Sequence, residues 1–284
     1  MTTSSPRRTS SSSASDGVAV MPASDGERSY GRLTAPRIAA EMSGQSIICL
    51  PVGSLEQHGP HLPLHTDTII AERFAASLAT HVADRHDLWV VPSVPYGLSP
   101  EHAWSPGTVT LTIPLYAGLI EALVGEYTRA TPARTVLIIN GHGGNKGLLE
   151  ALVHQLQRTH DVATCVVNPS SLAAGQLKDD GEIPEVHAGI WETSLMLALA
   201  PDHVRLDHFP NQPLPDPGQR EEIQCLVFGR GATWPWSSDD SAISTHGVIG
   251  GDPRKATAAH GQMLITAALN ACTDILDRLT PRTD

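Results

Sequence analysis

A chain of 284 residues with 40% hydrophobic and 17% charged side chains is long enough to bury a sizeable core, as one large domain or two small ones. Its net charge of −11 argues against nucleic acid and anionic membranes as partners, since both require a basic face. No apolar run approaches the roughly 20 residues needed to span a bilayer. Arg7 and Arg8 are not followed by an apolar stretch, so neither a secretory nor a twin-arginine signal is expected. Cys49, Cys165, Cys225 and Cys272 are far apart in sequence, with no CxxC spacing, which fits a reduced, cytoplasmic protein.

Residues 1–28 are rich in Ser, Thr, Asp and Gly, with too few large apolar groups to offset the entropy of ordering, and are expected to form a disordered tail. Residues 29–284 are expected to form a single domain. There, strand and helix patterns alternate. "SIICLPVG" (46–53) is a continuous apolar run ending in Gly, the pattern of a strand buried on both faces. Residues 66–85 have helical periodicity, with Thr66 or Asp67 as N-cap. "LWVVPSVPYG" (88–97) reads as strand then loop, 114–130 as a helix with Pro114 in its first turn, and "RTVLIING" (134–141) as the clearest buried strand. An amphipathic helix (145–160), a strand (162–168), a short buried helix (191–201) and a long terminal helix (253–279) follow. The order implies a three-layer α/β/α sandwich with a mostly parallel sheet. The Pro-, Asp- and Gly-rich stretch from about 205 to 245 is expected to be an irregular excursion, a lid or an oligomer contact.

In open α/β sheets ligands bind at the carboxyl ends of the strands, and three acid- or histidine-bearing segments fall there. The first, "LPVGSLEQHGPHLPLHTDT" (50–68), is kept from being helical by Gly59, Pro60 and Pro63. In extended backbone, Glu56 and His58 project from the same side, about 6.5–7 Å apart at Cα. Asp67 opens the following helix, where its two oxygens can bridge two cations. The second segment is "NGHGGN" (140–145), with His142 among glycines that allow close backbone approach. The third is "EVHAGIWET" (185–193), with His187 before a helix and Glu192 within its first turns. Glu56, His58, Asp67, His142 and Glu192 supply three carboxylates and two imidazoles, a donor set suited to Zn²⁺, Mn²⁺ or Fe²⁺. A dication would also relieve the repulsion of converging carboxylates.

Each element has a plainer reading. "ExH" alone is weak, and "GHGG" alone fits a turn or an anion-binding nest, although it lacks the Lys-Ser/Thr of a P-loop. His81, His86, His154, His160, His203 and His260 fall on helix faces or ends and read as solvated, while His61 and His65 are ambiguous neighbours of the cluster. The conjunction at strand ends is what singles out the five.

"LPVGSLEQHGPHLPLHTD", "SPEHAWSPGTVTL", "LIINGHGGN", "VHAGIWETSLMLAL" and "GVIGGDPRKATAAHG" resemble, in order, the blocks of the creatininase (creatinine amidohydrolase) family over residues 31–279. The resemblance implies an α/β/α fold, two divalent metal ions per subunit, hydrolysis of C–N amide bonds and a homo-oligomer, often a hexamer. Carried over, Glu56 and His142 bind one metal, His58 the other, and Asp67 bridges. Creatininase has a metal-ligating glutamate two residues after the NGH histidine. That position is Gly144 here, and Glu192 is the replacement.

On this reading a metal-bridging hydroxide attacks the substrate carbonyl, and His187 is the general acid for the leaving nitrogen. Trp104, Ser105 and Trp191 are the candidate substrate contacts, with core packing as the plainer reading of both tryptophans. Glu101 and His102 are expected near the cleft mouth. Creatininase's substrate tryptophan and its metal-ligating glutamate have no clear counterparts here, so the expected substrate is a different cyclic amide or related small molecule. The alternative is a peptidase of the mycofactocin-precursor type, which shares the HGPHLPL, NGHGGN and HAGxxET blocks. Against that type, the stretch before HAG is long and "GGDP" carries an extra Gly. A non-catalytic metal-binding scaffold, or nucleotide binding through GHGG, would fall outside the class.

Overall fold

The computed structural model describes residues 28–176, 185–211 and 217–280. The expected tail lies outside these residues except for Arg28. That residue pairs with Asp87 and lies over the Trp89 ring, 4.9 Å from its centroid.

Strands and helices alternate as the patterning predicts as far as β4, and α1, α5 and α7 are helices it did not give: α1 (Ala35–Glu41), β1 (Ile47–Val52), α2 (Thr66–His81), β2 (Leu88–Val90), α3 (Ile113–Ala130), β3 (Thr135–Asn140), α4 (Lys146–His160), β4 (Ala163–Val167), α5 (Pro169–Gln176), α6 (Ile190–Leu199), α7 (Pro217–Leu226) and α8 (Ala258–Leu279). The four strands lie in the order β2-β1-β3-β4, and every pairing is parallel. Going from β1 to β2 moves one way across the sheet, and going from β2 to β3 moves back past β1. Right-handed crossovers therefore put α2 on one face and α3 and α4 on the other.

The side chains follow the two-residue period of a strand. Ile47, Cys49, Leu137, Ile139 and Val167 face a core built with α2, α5, α6 and α8. Ile48, Leu50, Val52, Val136 and Ile138 face a second core with Tyr116, Ile120 and Val124 of α3 and Leu149, Leu152 and Leu156 of α4. The result is a three-layer α/β/α sandwich.

Some ends differ from expectation. The terminal helix begins at Ala258 rather than 253, because Pro253–Lys255 forms a separate 3-10 turn and the Thr257 side chain caps the helix by accepting from His260 N at 3.1 Å. Helix α2 starts at Thr66 with His65 at its N-cap position, and the Asp67 carboxylate turns into a polar cluster instead of capping. The 205–245 excursion contains α7 and 3-10 turns. Ile223 packs with Ile243 and Ile249 in a small third cluster.

Candidate metal centre

The strand order reverses between β1 and β3, and a ligand crevice is expected at such a point. Val52 and Asn140 are register partners, so the loops leaving β1 and β3 emerge side by side. Glycine lets the start of α2 press into this corner. A Cβ on Gly141 would lie 2.2 Å from the Asp67 carbonyl oxygen, and one on Gly53 would lie 2.6 Å from Thr68 backbone atoms. Only hydrogen at these two positions allows Asp67 to enter the crevice.

Glu56, His58, Asp67 and His142 meet there, each at most 4% exposed. His58 Nε2 lies 3.1 Å from Asp67 Oδ1. His142 Nδ1 lies 3.1 Å from Asp67 Oδ2 and 3.2 Å from Glu56 Oε1. The third segment arrives through Ala188, whose φ of 53° is unusual for a residue with a side chain. That turn is fixed by paired bonds between His187 and Ile249 and by the Ala188 N–H donating to Glu192 Oε2. It brings His187 Nδ1 to 3.5 Å from Glu56 Oε1 and Glu192 Oε2 to 3.9 Å from His58 Nε2. Glu185 ties this segment to "GGDP": its carboxylate accepts from Gly251 N at 2.6 Å and Trp191 N at 3.1 Å.

What stands behind each imidazole decides which nitrogen faces the cluster. A backbone carbonyl only accepts, so the nitrogen touching it carries the proton. His58 Nδ1 is 3.1 Å from Glu56 O, His142 Nε2 is 2.7 Å from Leu98 O, and His187 Nε2 is 2.7 Å from Gln57 O. Each ring thus turns its other nitrogen toward buried carboxylates. This is the outer arrangement that metal-ligating histidines require.

The carboxylates supply the complementary half. Glu56 Oε1 and Oε2 and Asp67 Oδ2 are buried without a hydrogen-bond partner. Uncompensated buried anions are costly, so such oxygens call for a cation. The histidines respond to the same field. Burial alone would lower the His58 pKa, but Asp67, Glu192 and Glu56 outweigh it and raise it to about 10. Burial likewise opposes the charge on His142, yet Glu56 and Asp67 drive its pKa well above the ordinary value. Burial raises Glu192 to about 7 and lowers His187 well below the ordinary imidazole value. The trios Glu56-His58-Asp67, His58-His187-Glu192 and Glu56-His102-His187 each have donor atoms within 4.8 Å of one another. The residues present fit a divalent-metal site of nitrogen and oxygen donors.

All five expected ligand residues converge, and His187 joins them. Of the expected substrate contacts, Trp104 is 45% exposed, with its indole N–H bonded to Ser238 Oγ at 2.8 Å. Ser105 lies on the same turn, its backbone N–H bonded to His102 O at 3.1 Å. Trp191, on α6, packs against the core and stands edge-on to His260. His102, expected near the mouth, is 2% exposed and stacks on His187 with centroids 4.0 Å apart. Sequence reading missed Gln57 and Ser238. Gln57 sits between two ligand positions in the sequence, and Ser238 lies in the irregular excursion, where no periodicity signals it. His61 is also buried, its Nε2 at 2.9 Å from Thr193 Oγ1. His86 is only partly exposed and bonds Asp277 at 2.9 Å, unlike the solvated residue expected.

Parallel α/β/α layers with a histidine–carboxylate cluster at the strand reversal define a metallohydrolase-type architecture. The family model described as Creatininase: Creatinine amidohydrolase matches residues 31–276, and the chain belongs to the creatininase family. It is a hydrolase acting on C–N bonds, and its histidine–carboxylate trios have donor atoms placed so that they could hold a divalent metal ion. A mycofactocin precursor peptide peptidase of Mycolicibacterium smegmatis is 34% identical over 254 residues, covering 83% of this chain and 86% of that protein. A creatinine amidohydrolase of Pseudomonas putida is 30% identical over 206 residues, covering 64% and 76%. A crystal structure of creatinine amidohydrolase (creatininase) superposes with a TM-score of 0.71 at 24% identity, covering 90% of this chain and 99% of the other, and shows the shared fold. Among the described residues no helix is long and apolar enough to cross a membrane.

Proposed function

We propose that residues 29–284 form one catalytic domain, a two-metal amidohydrolase that cleaves an amide bond of a short peptide. One observation carries the metal centre: three imidazoles, each backed by a carbonyl, face buried carboxylate oxygens that have no other partner. Glu56 and His142 would hold one ion and His58 and Glu192 the other, with Asp67 shared. Zn²⁺, Mn²⁺ and Fe²⁺ all suit these donors. When bound, such ions polarise a carbonyl and acidify water.

The chain supplies proton movement. With its Nε2–H donated to Gln57 O, His187 keeps the lone pair of Nδ1 toward the cluster. Nδ1 takes a proton from the attacking water as oxygen bonds to the amide carbon. As the C–N bond breaks, the same atom returns that proton to the leaving nitrogen, so the general acid begins as a base. Trp104, Ser105 and Trp191 are proposed as substrate contacts.

The choice of a peptide over a small cyclic amide reverses the order of the two expectations. It is supported by the higher identity and greater coverage of the mycofactocin precursor peptide peptidase relative to the creatinine amidohydrolase. Gly144 supports it too, because a Cβ there would lie 2.2 Å from Leu98 O, leaving no room for the glutamate of creatininase. A cytoplasmic homo-oligomer, hexameric by family resemblance, is the proposed working form. The test is to load the purified protein with Zn²⁺ or Mn²⁺ and compare release of amine from short peptides with ring opening of creatinine. Peptide cleavage is expected, and ring opening alone would return the small-molecule reading to first place.

A further inference from the structure

Four imidazoles surround the Glu56–Asp67 corner, and His102 differs from the other three in what lies behind it. Its outward nitrogen, Nδ1, meets donors rather than a carbonyl. Gln57 Nε2 lies 3.0 Å from it and Ser238 Oγ 2.7 Å. The Gln57 amide orientation is fixed at both ends. Gly59 N–H donates to its Oε1 at 2.9 Å, and its Nε2 donates to Gly247 O at 3.0 Å. The atom near His102 is therefore an N–H group.

Ser238 leads to the same result. Its Oγ accepts the indole N–H of Trp104, a group that only donates, at 2.8 Å. Gln57 Nε2 lies 3.2 Å from the same oxygen. The hydroxyl proton then has two acceptors in reach, His102 Nδ1 at 2.7 Å and Glu101 O at 3.3 Å, and the shorter contact is to the imidazole. A proton on Nδ1 would face the Gln57 amide hydrogen and force the hydroxyl onto its longer partner. Nδ1 is thus the acceptor and Nε2 carries the hydrogen. Nε2 points inward, 3.5 Å from Glu56 Oε1.

Resting on the hydrolase reading above, we propose that His102 is not a metal ligand but a neutral N–H donor. Ser238 and Gln57 hold it in the Nε2–H tautomer, to stabilise the negative charge that grows on the substrate's carbonyl oxygen. An Nε2–H cannot ligate a cation, and a ligating Nε2 would need its proton on Nδ1, where two donors converge. Paired rings thus divide the work: His187 presents a lone pair and His102, stacked on it, presents a hydrogen. Neutral imidazole donors of this kind polarise carbonyls in other enzymes. Ser238 is then a positioning residue, contributed by the excursion and fully buried, with its backbone N–H bonded to Glu101 O at 2.9 Å.

The test uses the full-length protein with ¹⁵N-labelled histidine rings, loaded with Zn²⁺, and a long-range ¹⁵N–¹H spectrum in which His102 is assigned by its loss in His102→Gln. The expected result is the Nε2–H tautomer, with Nε2 not shifted by zinc. The Nδ1–H tautomer, or an Nε2 that loses its hydrogen on zinc loading, overturns the proposal. This spectrum needs no turnover, so its failure is distinct from failure of the hydrolase reading, which shows as absent metal binding or absent peptide cleavage. In kinetics, His102→Ala should keep its metal and lose about 100-fold in kcat. Ser238→Ala should lose about tenfold in kcat with KM nearly unchanged, and Ser238→Thr, which keeps the hydroxyl, should recover it. Loss of a metal equivalent in His102→Ala, or an unchanged kcat in Ser238→Ala, contradicts the assignment.

Discussion

Gly144→Ala tests how the outer hydrogen bonds support the metal centre. The new Cβ would lie 2.2 Å from Leu98 O and 2.5 Å from His142 Nε2, the two atoms joined by the 2.7 Å bond that orients the His142 ring. Ordinary van der Waals separation is roughly 3.5 Å, so each atom must withdraw by about 1 Å or more. Leu98 O is backbone, and a bond with a wedge at both ends cannot stay short. Losing it strands a buried carbonyl at a cost of about 1–3 kcal/mol. Freeing the ring from its orienting partner should weaken metal binding about 10–100-fold. The assay is Zn²⁺ competition against a chromophoric chelator, with thermal unfolding of the metal-free protein alongside. Gly143→Ala is the control, because nothing lies within 4 Å of a Cβ there. Equal zinc affinity in the two variants would refute the reasoning.

Asp67→Ala should lose both metals and all activity, since Asp67 faces His58 and His142 alike, and two retained equivalents by elemental analysis would remove its shared role. His187→Ala should keep its metal while kcat collapses, and an unchanged kcat would remove Nδ1 from proton transfer. Chelation should lower the thermal midpoint of the wild-type protein, and added Zn²⁺ should raise it in a concentration-dependent way, because the ion binds the folded cluster and not the unfolded chain. A midpoint insensitive to zinc would contradict a metal held by these buried carboxylates. Phe74→Ala, in the core between α2 and the sheet, should cost about 3–5 kcal/mol, an unfolding shift on the order of 10 °C, with zinc stoichiometry intact.

The layers were legible because the strands are apolar on both faces and the helices between them are periodic. The residues of the polar cluster were legible because each sits at a strand end or a helix start, where sequence position and spatial position nearly coincide. Glu56 and His58 share one side of an extended segment, and Asp67 enters with α2. His102 was seen in the sequence but not its burial, since a 3-10 turn at Pro100–His102 has no periodicity to orient it. Ser238, 136 residues further on, carries no local signal, because its importance comes from tertiary bonds to His102 and Trp104. Trp191 was legible by its place inside a recognisable block, but its packing against the core and its edge-on approach to His260 depend on tertiary contacts that the block does not encode.

The most direct measurement of the central claim is metal content per subunit, by elemental analysis, on protein purified without chelators and on Glu192→Ala. Nearly two equivalents in the wild type, falling to about one in the variant, is the predicted result. One equivalent in both, or a wild type that stays empty after incubation with Zn²⁺ and Mn²⁺, would contradict the two-metal centre and Glu192 as the ligand that replaces the residue missing at Gly144.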